Sequence, residues 1–348
     1  TELRVSPWRT SRSSAWPHAR PVSSLRNCSL RTSPITNSIS HACGQPKNLL
    51  PNSRRRFLAP SNSARAVPFV LCFAILGPLS PASAVGQGVA RWFPDVEPFP
   101  SLIAAPREVQ VRASFVLADR PDLGYAGRNI EAEVAIGHSL AILRFDDGSR
   151  PDRAMTLGLE MGIFSRFFME VAQKDLINSD FRVGLPWAFR SGSWEARGMI
   201  RHFSAHLGDD YLVRFLDDEV VGGFGQTSKD GFEGLLARRL GGGGRLYVGG
   251  EYNFHTNENM SRAAFRFGGE WDPVDPGEDN GGWPFFAGDF EYASLSEQLA
   301  ATLVGGMGLR VNGQQFRLEA RARLGFTPMG HFRGTDETFY GLGFSLDL

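Results

Sequence analysis

The chain has 348 residues, 42% of them hydrophobic, and a formal net charge of zero. The zero joins two unlike pieces: residues 1–84 hold 11 Lys+Arg against one acid, Glu2, and the remaining 264 hold 26 basic and 36 acidic residues. All three cysteines (Cys28, Cys43 and Cys72) fall in the basic piece, which leaves the rest without a disulfide, a cysteine-based metal site or a thiol nucleophile.

Thr1 opens the chain and no Met precedes Met155, so the N-terminus reads as a fragment or a mis-called start. Residues 1–65 are rich in Ser, Arg and Pro without periodicity, a leader that is non-native or disordered rather than a nucleic-acid-binding arm. Arg65, the apolar run Ala66–Gly77 and Pro81-Ala82-Ser83-Ala84 form a secretory signal peptide over 66–84, with cleavage expected after Ala84. The run is short of the roughly 20 apolar residues that span a bilayer. Leu71 before Cys72 speaks against lipidation. Residues 85–108 carry Pro94, Pro98, Pro100 and Pro106 and read as an extended lead-in that crosses the periplasmic rim or plugs the mouth.

From Val109 to the end the period is two. Phe181, Val183, Leu185, Trp187 and Phe189 oppose Arg182, Gly184 and Arg190; Leu246, Val248, Tyr252 and Phe254 oppose Gly249, Glu251 and Asn253. Phe316, Leu318, Ala320, Ala322 and Leu324 oppose Arg317, Glu319, Arg321 and Arg323. The last residues alternate without a fault, with Tyr340, Leu342, Phe344, Leu346 and Leu348 on one face and Gly341, Gly343, Ser345 and Asp347 on the other. A soluble sandwich also alternates, but the second face here mixes Arg and Glu with Gly, as a crowded lumen requires. The expected fold is all-β: an antiparallel transmembrane β-barrel of about 12 strands (range 10–14) over 109–348.

Asn312-Gly313 reads as a type I′ hairpin, with further turns at Ser191-Gly192-Ser193 and Gly241–Gly244. Longer loops are expected near 217–230, 273–282 and 327–336. Thirteen segments emerge, and single-chain barrels favour even numbers. Gly137-His138-Ser139 is therefore a candidate turn, and the short segment 210–216 a strand that does not span.

Residues 93–348 resemble, over most of their length, the bacterial domain-of-unknown-function family 1207. The likeness rests on Phe99-Pro100-Ser101-Leu102-Ile103-Ala104-Ala105-Pro106-Arg107-Glu108, Gly162–Phe167, Asn178–Pro186, Trp194, Arg197 and His202–Tyr211. It implies an exported, envelope-associated β protein and no mechanism.

The chemical candidates are His202, Ser204 and His206, which share a strand face continuous with Trp194, Ala196 and Ile200 and so face lipid. A serine nucleophile needs a base within reach and a third group to orient that base. The His-x-Ser pattern resembles that of outer-membrane phospholipase A and the lipid A deacylases, although Ala205-His206 stands where the phospholipase motif has Asn-Gly. Alternating the turns back from the C-terminus places the motif at the periplasmic end. As metal ligands His202, His206 and Asp209 are too dispersed, since i and i+4 of a strand lie about 13 Å apart; no metal or cofactor is expected. The acidic runs Asp217–Glu219 and Asp272–Asp279 read as solvated loops, with calcium binding or bridging to lipopolysaccharide as the alternative.

Arg182, Arg197, Arg201, Arg266, Arg317, Glu319, Arg321 and Arg323 are expected to line the lumen, together with Arg239, Glu133, Glu160, Glu195, Glu233, Glu251 and Glu270. They form either an anion-selective constriction or a set of paired charges that fill a closed barrel, the reading favoured here. The sequence thus points to an outer-membrane barrel with a structural or narrow-channel role. A lipid-acting serine hydrolase and a soluble exported β-sandwich are the alternatives. Expected partners are outer-membrane lipid, lipopolysaccharide and, through Tyr340–Leu348, the barrel-assembly machinery, with no nucleic acid.

Overall fold

In a computed structural model the described residues are 89–94, 99–120, 127–215, 227–256, 261–273, 281–294, 297–312 and 314–347. The signal peptide, the leader and the cysteines lie outside them. The elements in chain order are β1 Val89–Trp92, β2 Val111–Asp119, β3 Arg128–Asp147, β4 Arg150–Phe168, β5 Leu176–Ser191, β6 Trp194–Leu207, helix α1 Asp209–Arg214 and β7 Thr227–Arg239. They continue with β8 Gly244–Thr256, β9 Ala263–Trp271, β10 Gly282–Ala293, β11 Gln298–Val311, β12 Gln314–Phe326 and β13 Asp336–Asp347.

Each strand from β2 to β13 pairs antiparallel with the next, and β13 pairs back onto β2 from Thr338↔Asp119 to Leu346↔Val111. The result is a closed barrel of twelve strands. The sandwich alternative falls, because there is one continuous sheet and no second layer. Closure also leaves the barrel strands without a free edge along the seam. Strand β1 stands outside this circuit, pairing with Leu143–Asp146 where β3 outruns β2.

Alternation settles which face is which. Leu185 is 57% exposed and Leu342 70%, while their neighbours Arg182 and Ser345 are buried. Most outward side chains are thus apolar around the whole circumference, and most inward ones are charged, small or aromatic. No helix among the described residues is long and apolar enough to cross a membrane.

Most short turns collect at one end of the barrel, which also holds the ten-residue connection from β9 to β10, 272–281. Ser191 pairs with Trp194 and Val311 with Gln314, each across a two-residue turn. The left-handed φ of Gly192 (57°) and of Asn312 (52°) supplies the twist those turns need. The opposite end holds the longer connections, including 169–175 and 327–335. These are called the turn end and the loop end below; β13 finishes at the turn end.

Two expectations are corrected. Segment 210–216 is not a strand: Asp209–Arg214 is a six-residue helix, with Asp209 and Asp210 at its positive end and Arg214 at its negative end. Gly137-His138-Ser139 is not a turn: β3 runs through it for 20 residues. Gly137 is there because a Cβ would meet Val109 and the Met161 carbonyl, both at 2.6 Å.

Candidate functional site

The lumen is occupied by the chain itself. Phe99, Leu102, Ala104, Ala105 and Glu108 of the lead-in, and Val109 directly after it, are buried. Phe99, Leu102 and Ala105 pack on Ala188, Leu235, Ala237 and Tyr247 of β5, β7 and β8. Ile103 and Ala104 pack on Phe285, Ala287 and Val304 of β10 and β11, across the barrel. The Phe99 ring lies between two guanidiniums, Arg197 at 5.0 Å and Arg245 at 5.4 Å.

This segment forms neither helix nor sheet, so its backbone groups need other partners. Arg245 donates to the carbonyls of Pro100 and Ser101 at 3.0 Å, Arg112 to that of Pro106 at 3.0 Å and Arg182 to that of Arg107 at 2.9 Å. The Ile103 amide donates to Glu270 at 2.6 Å. Two ion pairs complete the attachment, Arg107–Asp180 at 2.5 Å and Glu108–Arg197 at 2.5 Å. Burial alone would lift the Glu108 carboxyl; Arg197, with Arg182 beyond it, reverses this and holds it below the ordinary carboxylate range.

A second segment covers the loop end. Met329 and Phe332 are buried against Phe168, Ile177 and Tyr211. His331 lies 3.2 Å from the Thr227 hydroxyl, and burial holds its imidazole below the usual range. The Gly330 amide donates to both oxygens of Asp180, at 3.1 and 3.2 Å. Asp180 therefore ties the lead-in plug and the loop-end cap to one position of β5.

The arginines named from the sequence are spread through this interior, each with a partner. Arg182 pairs with Glu160 at 2.8 Å, Arg266 with Glu291 at 3.2 Å, Arg317 with Asp272 at 2.7 Å and Arg321 with Glu319 at 3.0 Å. Arg201 pairs with Glu251, and Arg323 donates to the Thr302 hydroxyl at 2.7 Å and to the Phe326 carbonyl. Glu133, Glu160, Glu195 and Glu270 are buried, and Glu233 and Glu251 nearly so. Arg239 is the exception: its side chain is 54% exposed at the turn end, where β7 finishes. A cavity of about 20 Å³ remains beside Glu233, Glu251, Arg266 and Glu291, room for about one water. Asp272, first of the second acidic run, is committed to Arg317 and to the Trp283 indole; 216–226 and 274–280 lie outside the described residues.

His202, Ser204 and His206 lie on the outward face of β6, and the histidines are exposed. The end assigned to them is corrected. Leu207 finishes β6 opposite Asn178, two residues from the start of β5, which is the loop end. With the helix Asp209–Arg214 in place of a strand, every strand before it runs the other way. Two residues missed in the sequence join this group. Asp230 of β7, the cross-strand partner of His202, accepts a hydrogen bond from its Nδ1 at 2.7 Å. His255 of β8 lies 3.3 Å from the other Asp230 oxygen. Thr227-Ser228-Lys229-Asp230 is polar on both faces, so no apolar period announced a strand there. No group of three metal-ligating side chains that could hold an ion occurs among the described residues.

A family model described as "Protein of unknown function (DUF1207)" matches residues 87–347. The chain belongs to the DUF1207 family. No curated protein matches this DUF1207 chain. Among solved structures it is similar to outer membrane phospholipase A from Escherichia coli (12% identity, 73% of this chain and 95% of that one, TM-score 0.47). It is also similar to the Salmonella typhi outer membrane phospholipase dimer with bound calcium (13%, 73% and 94%, TM-score 0.48). For the KdgM porin the figures are 7%, 68% and 99%, with a TM-score of 0.36. At such identities and TM-scores the likeness carries nothing on the activity of the DUF1207 barrel.

Proposed function

We propose that this protein is an outer-membrane barrel that its own lead-in keeps closed, with a structural rather than a conducting role. The observation that carries the reading is the plug: Phe99–Gln110 touches inward residues from β4 to β11. The outward face supports the membrane part. Phe115, Leu185, Phe286, Leu318 and Leu342 are each more than half exposed, and a soluble monomer rarely shows an apolar patch above a few hundred Å². Facing lipid, the same surface has no such cost. With 272–281 excepted, short turns at one end and mostly longer connections at the other match barrels with short periplasmic turns and long outer loops, so the loop end faces outward. The export signal expected over 66–84 fits this location.

The test is conductance. The chain folded in detergent should run as a heat-modifiable band and give no steps in a planar bilayer, whereas deletion of residues 99–108 should open stable ones. Steady conductance from the intact chain would sink the plugged reading. A protein that stays in buffer without detergent and shows no heat shift would sink the membrane reading.

A further inference from the structure

The outward face of β6 and β7 near the loop end carries a group that a closed barrel does not require. His202 turns Nδ1 towards Asp230 at 2.7 Å, and the second Asp230 oxygen is 3.3 Å from His255 Nδ1. Asp230 thereby fixes the ring and leaves Nε2 as its other nitrogen. Ser204 lies two residues along the same strand and face, about 7 Å from His202 between Cα atoms. A serine, a histidine and a carboxylate that orients the histidine are recognised by geometry and not by chain order. Here the order is His, Ser, Asp over two neighbouring strands.

The surroundings indicate the substrate. Beside His202 and towards the barrel middle, the outward residues are Val183, Ile200, Phe232 and Phe254, 39–54% exposed, and Phe181 stands level with Ser204. Level with Ser204 and beyond it stand Ser228 and His206. The group therefore sits where an apolar band meets a polar one. In a lipid leaflet the ester linkages between acyl chains and headgroups lie at that boundary.

We propose that Ser204, His202 and Asp230 hydrolyse acyl esters presented by the outer lipid leaflet. Ser204 Oγ adds to the ester carbonyl carbon while its proton passes to His202 Nε2. The ester C–O bond breaks and the alcohol leaves with that proton. Water then gives a proton to His202 and attacks the acyl-serine, releasing the carboxylic acid and restoring Ser204. Ester and water become acid and alcohol, with no further reactant. Asp230 is the positioning residue.

The experiment uses the full chain folded in detergent micelles, a p-nitrophenyl ester of a medium-chain fatty acid, and a fluorescent fluorophosphonate. The intact protein should hydrolyse the ester and take the label on Ser204. Ser204→Ala should lose turnover by about 1,000-fold or more and lose the label, while keeping its heat-modifiable band. Ser204→Cys serves if the alanine variant does not fold. Asp230→Ala should lower kcat and change the acid limb of the pH profile, with partial recovery in Asp230→Asn. No turnover and no label on the folded wild type would overturn the proposal. So would unchanged turnover in Ser204→Ala, or a label that maps to Ser228. Because the heat-modifiable band reports the barrel separately, failure here leaves the closed-barrel reading intact.

Discussion

Asp180 shows how much one inward residue carries. It is fully buried and accepts from Arg107 of the plug, Gly330 of the cap and Asn178 beside it. Asp180→Ala would strand the Arg107 guanidinium, and removing one partner of a buried pair costs about 3–5 kcal/mol. The expected result is a lower midpoint of heat modification together with faster protease cleavage in 327–335; an unchanged midpoint would refute the tie. Glu108 gives the pH dependence. Its folded pKa is depressed, so its contribution is whole above the ordinary carboxylate range and is lost as the pH falls through the lower folded value. Glu108→Gln should therefore flatten the acid side of the stability profile, and a variant as acid-sensitive as the parent would show that other carboxylates set it. At this scale the sequence revealed orientation but not partners. Arg182 and Arg197 were readable as inward from their apolar neighbours, whereas the pairing of Glu108 with Arg197, 89 residues away, leaves no mark on local pattern.

Strands were legible in proportion to their contrast. In β5, β8, β12 and β13 large apolar residues alternate with charged or small ones, and the expected faces match the exposed and buried ones. Where contrast was lacking the reading failed. The start of β7 is polar on both faces, and α1 is too short to show a helical period. Tyr211 sits on Phe332, a contact that sequence spacing does not disclose. The plug is the extreme case. Phe99–Gln110 has neither period because its side chains point to all sides of a lumen, so an extended segment was visible and its destination was not. The group on β6 was half legible: His202 and Ser204 stood out as a spaced pair, but Asp230 appeared to belong to a loop.

Over the whole molecule, the misread turn of helix mattered more than its six residues suggest, since an extra strand reverses the sidedness of everything upstream. With twelve strands the ends are consistent, and the seam is pinned across β2–β13, where Arg120 follows β2 and joins Glu337 of β13 at 3.0 Å, with Arg166 reaching the same carboxylate at 3.0 Å. The outward band has its own test. Leu342→Arg places a charge midway along β13, where a lipid-facing arginine costs about 2–4 kcal/mol. Refolding into lipid vesicles should be impaired by that amount, while solubility in detergent is kept. Indifference to the substitution would mean that lipid does not cover this face.

The plug ends at Gln110, and the seam strand begins at the next residue. The stopper is therefore made before any of the staves and is fastened to the first of them. A barrel that closes by joining its first and last staves already has the stopper on the inside strand of that joint. Plug and seam are thus covalent neighbours, and the joint that closes the ring carries the plug with it.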